Sequence, residues 1–146
     1  NYSGSIKKAS NNPNELFPDA DYVVFCMPVH KYRVALHEIA PYLNKNKKVF
    51  VGTVYGQGGW NWMVDEIRKE YNLNNIVTFA FGLIPWICRL IEYGKKGVTY
   101  GCKAMNYAAT YPNEYFQQVK EEFFVLISIF FKLVIKPSLI LKVIEL

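Results

Sequence analysis

Two short stretches hold the residues with the most chemical reach. In Tyr55–Gly59, YGQGG, Gln57 sits among Gly56, Gly58 and Gly59. Glycines let a cofactor approach the backbone, and the start of a following helix offers free N–H groups to an anion. Gln57 adds both a donor and an acceptor. The bland alternative is a tight strand-to-helix turn that needs positive φ angles. In Ile84–Arg89, IPWICR, an arginine follows an apolar run at once. An arginine there can be held at a rim, where its planar fork grips a carboxylate or phosphate. It can equally be a surface residue whose stem lies over Trp86. Cys88 either lines a pocket or fills a core, the commoner fate of a free cysteine. His30, just after Pro28, is a further candidate, whereas His37 falls on the polar side of its helix.

Other chemistries are disfavoured. The spacing of Cys26, Cys88 and Cys102 with the two histidines matches no zinc pattern. An odd cysteine count with no close pair suggests reduced thiols and a cytoplasmic setting. His37-Glu38 opens like a metalloprotease helix, but no second histidine follows. The net charge of +5 comes from scattered lysines, with doublets only at Lys7-Lys8, Lys47-Lys48 and Lys95-Lys96. Nucleic-acid binding would favour a basic stripe interleaved with aromatics. A mildly basic protein suits anionic small molecules instead. Hydrophobic residues at 51% support a packed core rather than disorder.

The elements that must position these residues follow from periodicity. Tyr22–Met27, Val49–Val54 and Ile76–Phe81 are apolar runs without alternation, the pattern of strands buried on both faces of a parallel sheet. They start 27 residues apart. Between them Tyr32, Ala35, Leu36, Ile39, Ala40 and Leu43 share one helix face, and Trp60, Met63, Val64, Ile67 and Tyr71 another. Regular strand–helix units predict an α/β doubly wound sheet with right-handed crossovers. Ligands of such sheets bind off the carboxyl ends of the strands. That edge would hold Pro28–Tyr32, Gly52–Gly59 and Gly82–Arg89. Thr78–Lys103 reads as a buried strand, a turn, a short charged segment and a second strand. A loop is expected from Lys103 to about Pro112, then a helix from Asn113 with Tyr115, Phe116, Val119 and Phe123 on one face. Lys132, Lys136, Pro137 and Lys142 interrupt the apolar run after Phe123. A membrane span of about 20 apolar residues is therefore not expected, and a helix buried between domains is. G-x-G-x-x-G, the dinucleotide fingerprint of the first strand–helix unit, is absent. With no initiator methionine, the chain reads as a piece of a longer protein.

The assembled residues resemble the opine dehydrogenase family, the octopine and nopaline dehydrogenases. Ala20–Val24 with Pro28 resembles the family's fourth strand and its proline. Ala40-Pro41-Tyr42, Val51-Gly52 and Gln57-Gly58-Gly59-Trp60 resemble later segments. The selective block is Pro85-Trp86-Ile87-Cys88-Arg89, continuing through Glu92-Tyr93-Gly94-Lys95 to Gly101. The match covers residues 10–104 well and the tail weakly.

The resemblance implies a Rossmann-like NAD(P)-binding domain over residues 1–111 and the start of a helical substrate domain over 112–146. It implies an oxidoreductase in which an amino acid condenses with a 2-oxo acid such as pyruvate, and NAD or NADP serves as hydride carrier. Its partners would be these small molecules, with neither nucleic acid nor membrane. By the match, Gln57 contacts the oxo acid, Cys88 lines the substrate pocket and Arg89 lies nearby. Pro28, Val29 and Gly52 border the cofactor, with Gly56 beside them. Three positions depart from the family: Leu83 replaces a threonine, Tyr32 a frequent histidine, and Lys136-Pro137 the His-Pro that carries the catalytic acid/base. Lys136 could serve only if burial or a neighbouring charge lowered its pKa. Other dehydrogenases of this architecture, ketopantoate-reductase-like or 6-phosphogluconate-dehydrogenase-like, and a non-catalytic truncated product are the alternatives.

Overall fold

Tyr22-Val23-Val24-Phe25 is apolar on both sides of its backbone, and a parallel strand of that kind needs cover on both faces. The computed structural model describes residues 6–103, 105–123 and 142–145, and it supplies that cover. β1 (Tyr22–Phe25), β2 (Val49–Thr53) and β3 (Ile76–Phe81) start at the expected residues. They pair in parallel, with Val23 opposite Val51 and Val51 opposite Thr78. Alternate side chains of a strand face opposite ways, so each strand feeds two cores.

On one face lie α1 (Tyr32–Ile39) and α2 (Trp60–Glu70). Tyr32, Leu36, Trp60, Val64 and Ile67 of these helices pack against Val23, Phe25, Val49 and Val51. Fully burying one aliphatic side chain is worth about 1.5–3 kcal/mol, so this layer dominates the local stability. α1 stops at Ile39 because Pro41 follows; the chain turns through a single 3₁₀ turn, Ala40–Tyr42. On the other face Phe50, Val77, Phe79 and Phe81 meet Phe116 and Val119. The latter two belong to α3, residues 116–123. Phe123 stands 4.7 Å from Phe79 between ring centroids.

Two expectations need correction. The predicted loop after Lys103 is a strand, β6 (Met105–Tyr111), antiparallel to β3 with Ala80 opposite Ala109. Its signal is strict alternation: Asn106, Ala108 and Thr110 are buried while Tyr107, Ala109 and Tyr111 are more open. Buried asparagine and threonine hid it from a search for apolar runs. Second, the stretch read as a turn and a short charged segment before one further strand holds a strand of its own. Trp86–Glu92 is β4, which folds back on β5 (Lys96–Cys102) as a separate two-stranded hairpin, and the charged segment is its turn. β7 (Lys142–Glu145) pairs in parallel with β6, giving the main sheet the order β1-β2-β3-β6-β7. Lys136, Pro137 and the run from 124 to 141 lie outside the described residues. Among the described residues no helix is long and apolar enough to cross a membrane.

Candidate functional site

Because β1, β2 and β3 run in parallel, their carboxyl ends share one edge. Pro28 (φ −61°, ψ 139°) leaves β1 extended, and Val29–Lys31 form a 3₁₀ turn into α1. The loop after β2 meets that turn at Gly58. Gly58 has φ +68°, and a Cβ there would come 2.4 Å from Val29 Cγ1. Only glycine lets the two loops approach so closely. The same loop is tied to the end of β3. Gly56 N–H donates to Phe81 O at 2.6 Å, and Gln57 Nε2 donates to Gly82 O at 3.2 Å. Beneath the edge, the hydroxyl of the fully buried Tyr32 lies 2.8 Å from Thr53 Oγ1 and 3.0 Å from Tyr55 O. Tyr32 thus fastens α1 to the loop that carries Gln57, a role its place in an apolar helix face did not announce.

The β4–β5 hairpin leaves the same edge. Pro85 is buried, Trp86 half-buried, and Cys88 and Arg89 exposed. Cys88 Sγ lies 3.2 Å from Thr99 Oγ1 on the facing strand, and Arg89 Nη1 donates to Cys88 O at 2.9 Å. At the hairpin's root opens an apolar cavity of about 380 Å³, lined by Cys26, Val54, Phe81, Pro85, Trp86 and Phe123. Cys26 is exposed at the mouth of this cavity, yet its apolar neighbours desolvate the thiol in part and push it up. Burial, and then the Glu122 carboxylate beside it, pushes the Tyr22 hydroxyl up as well. On the other face of the sheet a groove of about 350 Å³ runs between Gly56, Gly59, Trp62 and Tyr107.

The candidate residues therefore fall into groups. Val29, Gly56 and Gln57 belong to loops that touch one another, and Pro28 introduces the first of them. Cys88 and Arg89 are neighbours on β4 of the hairpin; Cys88 reaches Thr99 across on β5, and Arg89 turns back to the Cys88 carbonyl on its own strand. Gly52 lies inside β2, where a Cβ would come 2.2 Å from the Phe79 ring; close packing accounts for it. Lys136 is outside the described residues. His30 is exposed. His37 is less solvated than expected: its Nδ1 is 3.4 Å from Tyr71 Oη, and Glu66 and Glu70 stand 3.8 and 3.7 Å from its ring nitrogens. It bridges α1 and α2, away from the edge. Among the described residues no three metal-ligating side chains cluster.

No family model matches the chain. An opine dehydrogenase of Haliotis discus hannai is 31% identical over 86 residues, which are 59% of this chain and 20% of that protein. The chain resembles the opine dehydrogenases. The likeness extends to the uncharacterised protein y4xO of Sinorhizobium fredii, 27% identical over 103 residues, 70% of this chain and 27% of that one. Solved structures of octopine dehydrogenase share the fold. One, in complex with NADH and agmatine, superposes with a TM-score of 0.64 at 22% identity over 71% of this chain and 25% of its own. Another, with NADH and pyruvate, gives 0.67 at 17% identity over 94% and 33%. The chain thus spans between a fifth and a third of these opine and octopine dehydrogenases.

Proposed function

We propose that these residues form part of an opine-dehydrogenase-like oxidoreductase that acts in the cytoplasm. Residues 1–111 would be the later part of its nicotinamide-binding domain and 112–146 the entry to a helical substrate domain. The full polypeptide would join an amino acid to a 2-oxo acid such as pyruvate and reduce the resulting imine to a secondary amine. The observation that carries this reading is the shared edge. The loops after β1, β2 and β3 are stitched together there, and the hairpin bearing the selective Pro-Trp-x-Cys-Arg block rises from it.

The apolar cavity at the hairpin's root, lined by Cys26, Val54, Phe81, Pro85 and Trp86, has room for part of a nicotinamide cofactor. The 380 Å³ apolar cavity lies within the range of about 300–1,000 Å³ common for small-molecule sites. NADH or NADPH, when bound, supplies the hydride. Pro28 and Val29 would border it from the β1 loop and Gly56 from the β2 loop, while Gly52 serves the packing of β2 against Phe79. The pyrophosphate fingerprint is not among these residues. Pro85 and Trp86 would keep water from the imine, which hydrolyses readily. Gln57 Oε1 stays available to the substrate while its Nε2 is held on Gly82 O. Arg89 would hold a substrate carboxylate through its guanidinium fork, with Cys88 against the substrate's apolar body. Lys136 would take the acid/base position if its surroundings lower its pKa.

The experiment is oxidation of NADH or NADPH by the full polypeptide, with pyruvate and a panel of amino acids. Turnover that needs both substrates is expected. Equal rates with pyruvate alone, or with a 2-oxo acid and no amine, would refute the reading. Residues 1–146 by themselves are expected to give no turnover.

A further inference from the structure

β3 and β6 pair until Phe81 stands opposite Ala108, and one more backbone bond follows, Gly82 N–H to Tyr107 O at 2.8 Å. The hairpin's own pairing begins at Lys103 N–H to Pro85 O, also 2.8 Å, with Trp86 opposite Cys102. Sheet and hairpin therefore follow one another along one antiparallel ribbon; among the described residues no backbone–backbone bond reaches Leu83 or Ile84, a gap in the ladder between them. A side chain fills that gap. Asn106 is 0% exposed. Its Oδ1 accepts from Leu83 N–H at 3.1 Å, and its Nδ2 donates to Leu83 O at 2.6 Å. Oδ1 also accepts from Tyr107 N–H at 2.9 Å.

An asparagine side chain is a peptide unit detached from the backbone. It offers the acceptor and donor that a neighbouring strand would present to Leu83. Its orientation is fixed, because the flipped amide would aim N–H at two N–H donors. Aspartate lacks the donor, and glutamine places the amide one methylene too far. We infer that Asn106 is the positioning residue of the candidate site. By pairing with both backbone groups of Leu83 it sets the direction in which the ribbon carrying Trp86, Cys88 and Arg89 leaves the sheet. Gln57 joins the same junction one residue earlier, through Gly82 O. The two halves of the site, loop and hairpin, are thus referred to one short piece of backbone. The effect on catalysis rests on the function proposed above; the effect on the hairpin does not.

The test uses the full polypeptide with Asn106→Ala, and Asn106→Ser as a milder variant whose neutral hydroxyl keeps an acceptor without burying a charge. Amide hydrogen exchange should quicken about tenfold or more across Trp86–Cys102, while Val51 and Val77 in the sheet exchange as before. The KM for the 2-oxo acid should rise about tenfold or more, with the KM for the nicotinamide cofactor changed less than about twofold. Unchanged hairpin exchange would overturn the inference. So would exchange that quickens equally in the sheet, or loss of folding in both variants, since Asn106 would then support the whole sheet. If wild type shows no reductive condensation, the proposed function fails, and hairpin exchange still decides the role of Asn106.

Discussion

The hydroxyl of Tyr32 holds α1 against the loop that carries Gln57, within hydrogen-bond reach of Thr53 Oγ1 and Tyr55 O. Its ring stands edge-on to Phe25 and Trp60, so Tyr32→Phe keeps the packing and removes only the polar link. Lost hydrogen bonds at a buried site cost about 1–2 kcal/mol. Urea unfolding should show a loss of that size with an unchanged m-value, and no change would deny the link. The sequence made Tyr32 visible as an apolar helix position and as a departure from the family's histidine, but not as this link, because periodicity reports which way a side chain points and not what its tip reaches. Asn106 was hidden for a related reason. A buried asparagine looks like a loop residue until its backbone partner, Leu83, is known. Gln57, Cys88 and Arg89 could be singled out as candidates because glycine punctuation and the Pro-Trp-x-Cys-Arg block are local in sequence.

At the scale of elements, β2 and β3 are locked by a glycine opposite an aromatic ring. Gly52→Ala would drive a Cβ into the Phe79 ring. Overpacking of this kind costs about 1–3 kcal/mol, and Phe79→Leu in the same chain should recover part of it. Additive losses in a double-mutant cycle would argue against direct contact. In α2 the Asp65 carboxyl is held below its ordinary range, first by the hydrogen bond from Lys69, whose Nζ lies 2.6 Å from Oδ2. Such a group binds its proton less tightly folded than unfolded. Its contribution is present above the usual carboxylate range and is lost as pH falls through the folded value. Solvent screening keeps it small. The urea midpoint of wild type should fall slightly more than that of Asp65→Asn between about pH 6 and about pH 3; equal slopes would contradict the assignment. The parallel strands were readable because burial on both faces forces an unbroken apolar run. β6 has small and polar residues on its buried face, and β4 is mostly exposed, so neither leaves that mark.

Across the whole molecule, the described residues build the strand ends and loops that we propose as part of a nicotinamide site, and G-x-G-x-x-G is not among them. The 86 residues that match the Haliotis discus hannai opine dehydrogenase are 20% of that protein. The catalytic proton carrier proposed at Lys136 is not among the described residues. The most direct measurement is the fate of deuterium from nicotinamide labelled at the transferring carbon, in a reaction of the full polypeptide with pyruvate and an amino acid. The account predicts a secondary amine dicarboxylate carrying one deuterium on the former keto carbon of pyruvate. Deuterated lactate in its place, or no deuterium in any condensation product, would contradict it.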